Sequence, residues 1–150
     1  MDSALQQDLD FTVRSSWSGT GRSGLGTIAS GGQSITYSVP AAMGGQGTGT
    51  SPEELLVAAV SACFSGTLTR ILHARGLPVA RLDLTAHGVV SGYPAETRFA
   101  RIVVQPSISG GDPSRLGEYE EAAQTARRRC FIGGTLKESV DYAVGEVSVV

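Results

Sequence analysis

Cysteine is nearly missing from this chain, with two in 150 residues, Cys63 and Cys130, 67 positions apart. Two such positions make no disulfide framework, and so sparing a use of thiols fits a reducing, cytoplasmic compartment. An excess of either charge is missing too. Lys and Arg total 12 against 14 Asp and Glu, the net charge is −2, and neither sign gathers in a long run. That balance gives no electrostatic hold on nucleic acid or on an anionic membrane. The opening MDSALQQDLDF has neither a basic nor an apolar leader region, so no secretory signal is expected. No internal repeat is visible. Metal-ligand spacing is also absent, because Cys63, His73, His87 and Cys130 contain no CxxC or HxxxH.

What the chain has is the length of one domain, 1–150, enough to bury roughly two thirds of its unfolded surface. Its 20 glycines suit a turn-rich sheet protein. The stretch 50–72, TSPEELLVAAVSACFSGTLTRIL, reads as a helix. Ser51 is placed as N-cap, Pro52 at the first helical position, and Glu53 and Glu54 at the positive end of the dipole. From Leu55 to Thr69 there is no charge, and apolar or small residues fall on every face, the pattern of a helix buried all round. Those fifteen residues, with Ser61, Ser65, Thr67 and Thr69 among them, are too short and too polar for a membrane span. Gly76 and Pro78 end the helix near Arg75.

Before the helix, residues 9–17 (LDFTVRSSW) read as a strand and SGTGRSG as a glycine-rich turn. LGTIAS and QSITYSV then form a tight hairpin about Gly31-Gly32. PAAMGGQGTG has no period and is expected to be a mobile loop. After the helix, Leu82, Leu84 and Ala86 alternate with polar neighbours, as do Ala100, Ile102 and Val104, with a turn at Gly92 and Pro94 between two strands. GGDPS opens a second helix, Ser114 to about Arg129, with Cys130 where it meets FIGG. A short helical piece around 135–139 and a closing strand, DYAVGEVSVV, complete the chain. Strand runs with interleaved helices make the fold α+β.

A thiol in the middle of the most apolar helix calls for a chemical explanation. Free thiols titrate near 8.5 and burial raises that value, so a reactive Cys63 needs a nearby cation. Arg70 lies on nearly the same helix face but about 10 Å further along the axis. Arg22 could reach in from the glycine-rich turn, and Arg127, Arg128 and Arg129, favoured there by the helix dipole, could lower the pKa of Cys130. An oxidised Cys63 would need a second thiol to trap its sulfenic acid as a disulfide. Without such chemistry, a cysteine among Ala and Ser is a small hydrophobe. Gly19-Thr20-Gly21-Arg22-Ser23-Gly24 matches GxGxxG, but a strand and no helix follows, so the glycines read as turn residues.

SPEELLVAAVSACFSGTL resembles the signature helix of the OsmC/Ohr family, the osmotically inducible and organic-hydroperoxide resistance proteins. WSGTGRSGLGTIAS resembles that family's first hairpin and GTGTSPEEL its approach loop, so the likeness spans nearly the whole chain. It implies an OsmC-like fold, antiparallel sheets around a central helix, in an intertwined homodimer. It also implies a peroxidase that reduces alkyl or fatty-acyl hydroperoxides through two cysteines, using no metal or flavin, and is regenerated by a lipoyl-type dithiol. By position, Cys63 matches the peroxidatic cysteine, Cys130 the resolving one, Glu53 the acidic active-site residue and Arg22 the arginine of the N-terminal hairpin. Phe131 stands where the family usually has proline, and 33–49 hold no arginine, so the chain reads as a divergent OsmC-like member.

On one straight helix, Glu53 and Cys63 are about 15 Å apart along the axis, so the site needs a bend or a second subunit. The expectation is that Arg22 and Glu53 meet Cys63 at or near a dimer interface. The rival reading is a non-catalytic module of the same fold that holds a small apolar ligand.

Overall fold

Paired glycines and strand alternation set up a first sheet. β1 (Arg14–Ser18), β2 (Leu25–Ser30) and β3 (Gln33–Tyr37) are antiparallel, in that order. The computed structural model describes residues 6–150, so the reading of the chain's opening falls partly on residues outside it. Two units divide the chain, one ending at Pro52 and one running from Glu53 to Val150.

In the first unit, Gly31 and Gly32 both take positive φ (55° and 78°), the combination a two-residue hairpin needs. β1 is shorter than predicted, and 9–13 have no regular structure. Its register runs from Arg14↔Ala29 to Ser18↔Leu25, and β2 ends one residue later in the hairpin, leaving no ladder for 9–13 to join. Gly26 lies under the Tyr37 ring and Gly24 under Trp17, two places where a Cβ would collide with an aromatic face. The rings of Trp17 and Tyr37 sit 5.6 Å apart, tilted by 42°. The loop expected to be mobile is instead hydrogen-bonded step by step. The amides of Met43 and Gly45 donate to Pro40 O and that of Gly47 to Val39 O, while Ser38 Oγ and Thr48 exchange two bonds of 2.8 Å. Gly44, Gly47 and Gly49, all at positive φ, bring those groups within reach.

The second unit opens with α1 (Pro52–Ala74). Gly76 at φ 64° follows its end, and Leu77 N closes back on Leu72 O (2.9 Å), the predicted C-terminal stop. β4 (Arg81–Ser91) and β5 (Arg98–Ser109) pair antiparallel, with an irregularity at Val89/Val90. Asp112 caps the turn Pro113–Arg115 that leads into α2 (Leu116–Arg129), and Cys130 joins α2 to α3 (Phe131–Leu136). β6 (Asp141–Val144) and β7 (Ser148–Val149) both lie parallel to β5. The expected antiparallel pairing therefore holds for β1–β3 and for β4–β5. The single closing strand is instead two, split at Gly145, and the short helix starts at Phe131 rather than near 135.

One core fills this unit. Val60, Phe64, Leu68, Ile71 and Leu72 of α1 meet Ile102, Val104 and Ile108 of β5 and Tyr119, Ala122, Ala123 and Ala126 of α2. Each fully buried Leu, Ile or Phe contributes about 1.5–3 kcal/mol. Within the single chain one face of α1 stays open, with Ala58, Ala59, Ala62 and Gly66 exposed opposite the core. Small uncharged residues read as interior by hydropathy alone, yet on this face they contact little. By length and composition, Pro52–Ala74 could cross a membrane, its best window having a mean hydropathy of 1.7. The core helix of a soluble protein meets the same criteria, and this helix buries one stripe in the core.

Candidate active site

Cys63 and Cys130 come from different elements and lie near each other. Cys63 is half-buried on α1, just before fully buried Phe64. Cys130 is wholly buried at the α2–α3 junction, where its amide donates to Ala126 O and its carbonyl accepts from Gly134 N (both 2.8 Å). Both are free thiols, and Cys63 packs against the core that holds Cys130, close enough for one thiol to affect the other.

Burial pushes the Cys130 thiol above its ordinary range, and the neighbouring Cys63 adds to the rise. Two groups oppose it, the Gly133 amide and the Tyr142 hydroxyl, both able to stabilise a thiolate. The arginine run, which could have lowered this thiol, is not among the groups that shift it. Arg127 donates to Tyr142 O (3.1 Å) and Arg128 to Thr125 Oγ1 (3.1 Å), and the net shift of Cys130 is upward.

Tyr142 was not legible in advance. It is buried on β6, its ring packs on Gly133, and its phenol is pushed far up by burial and by the neighbouring thiols. Its hydroxyl lies close enough to Cys130 to affect it, yet makes no hydrogen bond of ordinary geometry among the described residues. A glycine pair in FIGG, followed by an aromatic in the closing strand, was the only available signal. Only Gly leaves room for that ring.

The other two predicted residues lie elsewhere in the chain. Arg22 is exposed in the single turn Gly21–Ser23 of the first unit, with its side chain along Gly44. Glu53 is in the first turn of α1, ten residues before Cys63, and its Oε2 is buried without a hydrogen-bond partner among the described residues. His73 and His87 are both exposed.

Residues 45–144 match the family model for OsmC-like proteins. The uncharacterised protein YmaD of Bacillus subtilis is 32% identical over 137 residues, which cover 89% of this chain and 91% of YmaD. An OsmC-like protein of Mycoplasma pneumoniae superposes with a TM-score of 0.78 at 19% identity, covering 96% of this chain and 99% of its own. An organic hydroperoxide resistance protein of Legionella pneumophila, described as a predicted redox protein, superposes with a TM-score of 0.73 at 22% identity, covering 94% and 99%.

Proposed function

This chain belongs to the OsmC-like family, and we propose that it is a thiol peroxidase that reduces organic hydroperoxides to alcohols. The observation that carries the reading is the proximity of two free thiols of unlike exposure, Cys63 half-buried and Cys130 sealed. An accessible sulfur can meet a substrate, and a buried one beside it can only meet that sulfur.

The cycle balances with a hydroperoxide and a dithiol alone. The Cys63 thiolate attacks the hydroperoxide oxygen and the O–O bond breaks. The sulfur becomes a sulfenic acid, and the alkoxide leaves as the alcohol after taking a proton. Cys130 then attacks that sulfur, water departs, and the Cys63–Cys130 disulfide closes. The Gly133 amide and Tyr142 hydroxyl favour the Cys130 thiolate as it forms. A dithiol donor, lipoyl-type in this reading, reduces the disulfide by two exchanges and becomes a disulfide itself.

Arg22 has the role of stabilising the Cys63 thiolate, and Glu53 that of holding the guanidinium bidentately in a homodimer. The unpartnered Oε2 of Glu53 supports this role, since a buried carboxylate oxygen without a donor is costly.

The test is consumption of cumene hydroperoxide and of hydrogen peroxide by the reduced protein with excess dithiol. Faster turnover of the organic peroxide is expected, with a loss of at least about 100-fold in Cys63→Ser. Cys130→Ser should turn over briefly and then overoxidise at Cys63. No consumption of either peroxide would move the reading to a ligand-binding module.

A further inference from the structure

A basic pocket opens on the α1 face that carries Cys63, one to three turns further along the helix, and has no part in the cycle above. Its volume is about 360 Å³, and it is lined by Thr67, Arg70, Ile71, Ala74, Arg75 and Arg129. Neither thiol lines it, but residues near both in the chain do. Thr67 lies one turn past Cys63 and donates to its carbonyl (2.9 Å), and Arg129 directly precedes Cys130. Arg70 is seven residues from Cys63 on nearly the same face of α1, and its Nε folds back to Gly66 O (3.3 Å), towards the cysteine.

The charges in this pocket are unbalanced. No ion pair among the described residues involves Arg70, Arg75 or Arg129. Arg75 and Arg128 both donate to a single oxygen, Thr125 Oγ1, at 3.2 and 3.1 Å, which holds two like charges side by side. The C-termini of α1 and α2 explain part of this, since each end presents about half a negative charge. Two such ends offset about one of three guanidiniums, and the pocket remains electropositive. Ile71 and Ala74 supply an apolar wall beside it.

We infer that Arg70, Arg75 and Arg129 form a seat for the carboxylate of an amphipathic reactant of the dithiol, a use that rests on the peroxidase reading. Guanidinium forks match carboxylates bidentately, and an apolar wall next to them suits the alkyl stem of an organic acid. Either reactant could carry that group, the hydroperoxide or the reducing dithiol.

Paired substrates separate the two sources. A fatty-acid hydroperoxide is compared with its methyl ester, dihydrolipoate with dihydrolipoamide, and tert-butyl hydroperoxide serves as the uncharged reference. The KM of the acid is expected to be at least tenfold below that of its neutral partner in one of the two pairs. That ratio should fall towards one in Arg75→Gln and Arg129→Gln, and with added salt. A preference in the first pair assigns the carboxylate to the hydroperoxide, and one in the second to the reductant. If tert-butyl hydroperoxide is consumed but neither pair is distinguished, the seat is overturned and the peroxidase stands. If no hydroperoxide is consumed, the peroxidase reading falls and calorimetric binding of dodecanoate decides the seat. Binding weakened tenfold by Arg129→Gln would keep it, and no binding would overturn it.

Discussion

The two units are stabilised by different means. In the second, large apolar side chains of α1, β5 and α2 are fully buried together. In the first, no large apolar side chain is fully buried among the described residues. Its buried positions are Gly24, Gly26, Ser38 and Ser51, while Trp17 and Leu25 stay 41% and 42% exposed. The first unit therefore depends on its ladder and loop hydrogen bonds, each worth about 0.5–1.5 kcal/mol net. The second adds apolar burial on top of its own ladders. Both thiols belong to the unit with the core, against which Cys63 packs and in which Cys130 is buried. Arg22 belongs to the unit without one.

Residue placement makes this contrast measurable. Trp17 is the single tryptophan and lies in the first unit, whereas the α-helices of the described residues lie in the second. Urea unfolding followed by tryptophan fluorescence should precede the loss of helical circular dichroism. Coincident curves would erase the contrast. The largest effect is expected from Phe64→Ala, which leaves a cavity where a fully buried ring meets α2 and β5. A loss of about 3–5 kcal/mol should appear in the helical transition.

A smaller change should move the other transition. At Gly26 a Cβ would run into the rings of Tyr37 and Trp17, so one or both must shift. Gly26→Ala should cost about 1–3 kcal/mol through overpacking. It should lower the fluorescence midpoint and the amide protection of β1–β3, leaving β4 and β5 protected. Equal loss in β4–β5 would show that the two units unfold as one.

What the sequence revealed follows from how local each signal is. The ends of α1 were legible because Pro52, Glu53 and Gly76 act within a turn of their own positions. The hairpin at Gly31-Gly32 was legible because two adjacent glycines allow the φ values it needs. The exposed face of α1 was not, since Ala58, Ala62 and Gly66 look alike whether covered or open. The parallel pairing of β6 and β7 with β5 was not, because their partner is decided far away in sequence. At the site, chemistry suggested the two thiols as a pair, but Tyr142 reaches Cys130 only because Gly133 leaves room for its ring. Arg22 was read correctly as a turn residue, and nothing local to it says what its guanidinium meets.

The smallest effect concerns protons. Cys130 has its pKa raised in the folded chain, so between about pH 8.5 and that raised value the unfolded thiol ionises while the folded one stays protonated. The unfolded state then binds fewer protons, and stability falls as pH rises, by at most about 1.4 kcal/mol per pH unit for one group. Below about pH 8.5 both states are protonated and no slope arises from Cys130. The slope should appear in the helical transition, since Cys130 is buried in the second unit, and it should flatten between pH 8.5 and 10 in Cys130→Ser. The phenol of Tyr142 is raised as well, but it starts from an ordinary value near 10, so its contribution begins only above that window. An unchanged slope in Cys130→Ser would mean that the buried thiol costs the folded chain nothing to ionise, and the sealed environment assigned to it would have to be abandoned.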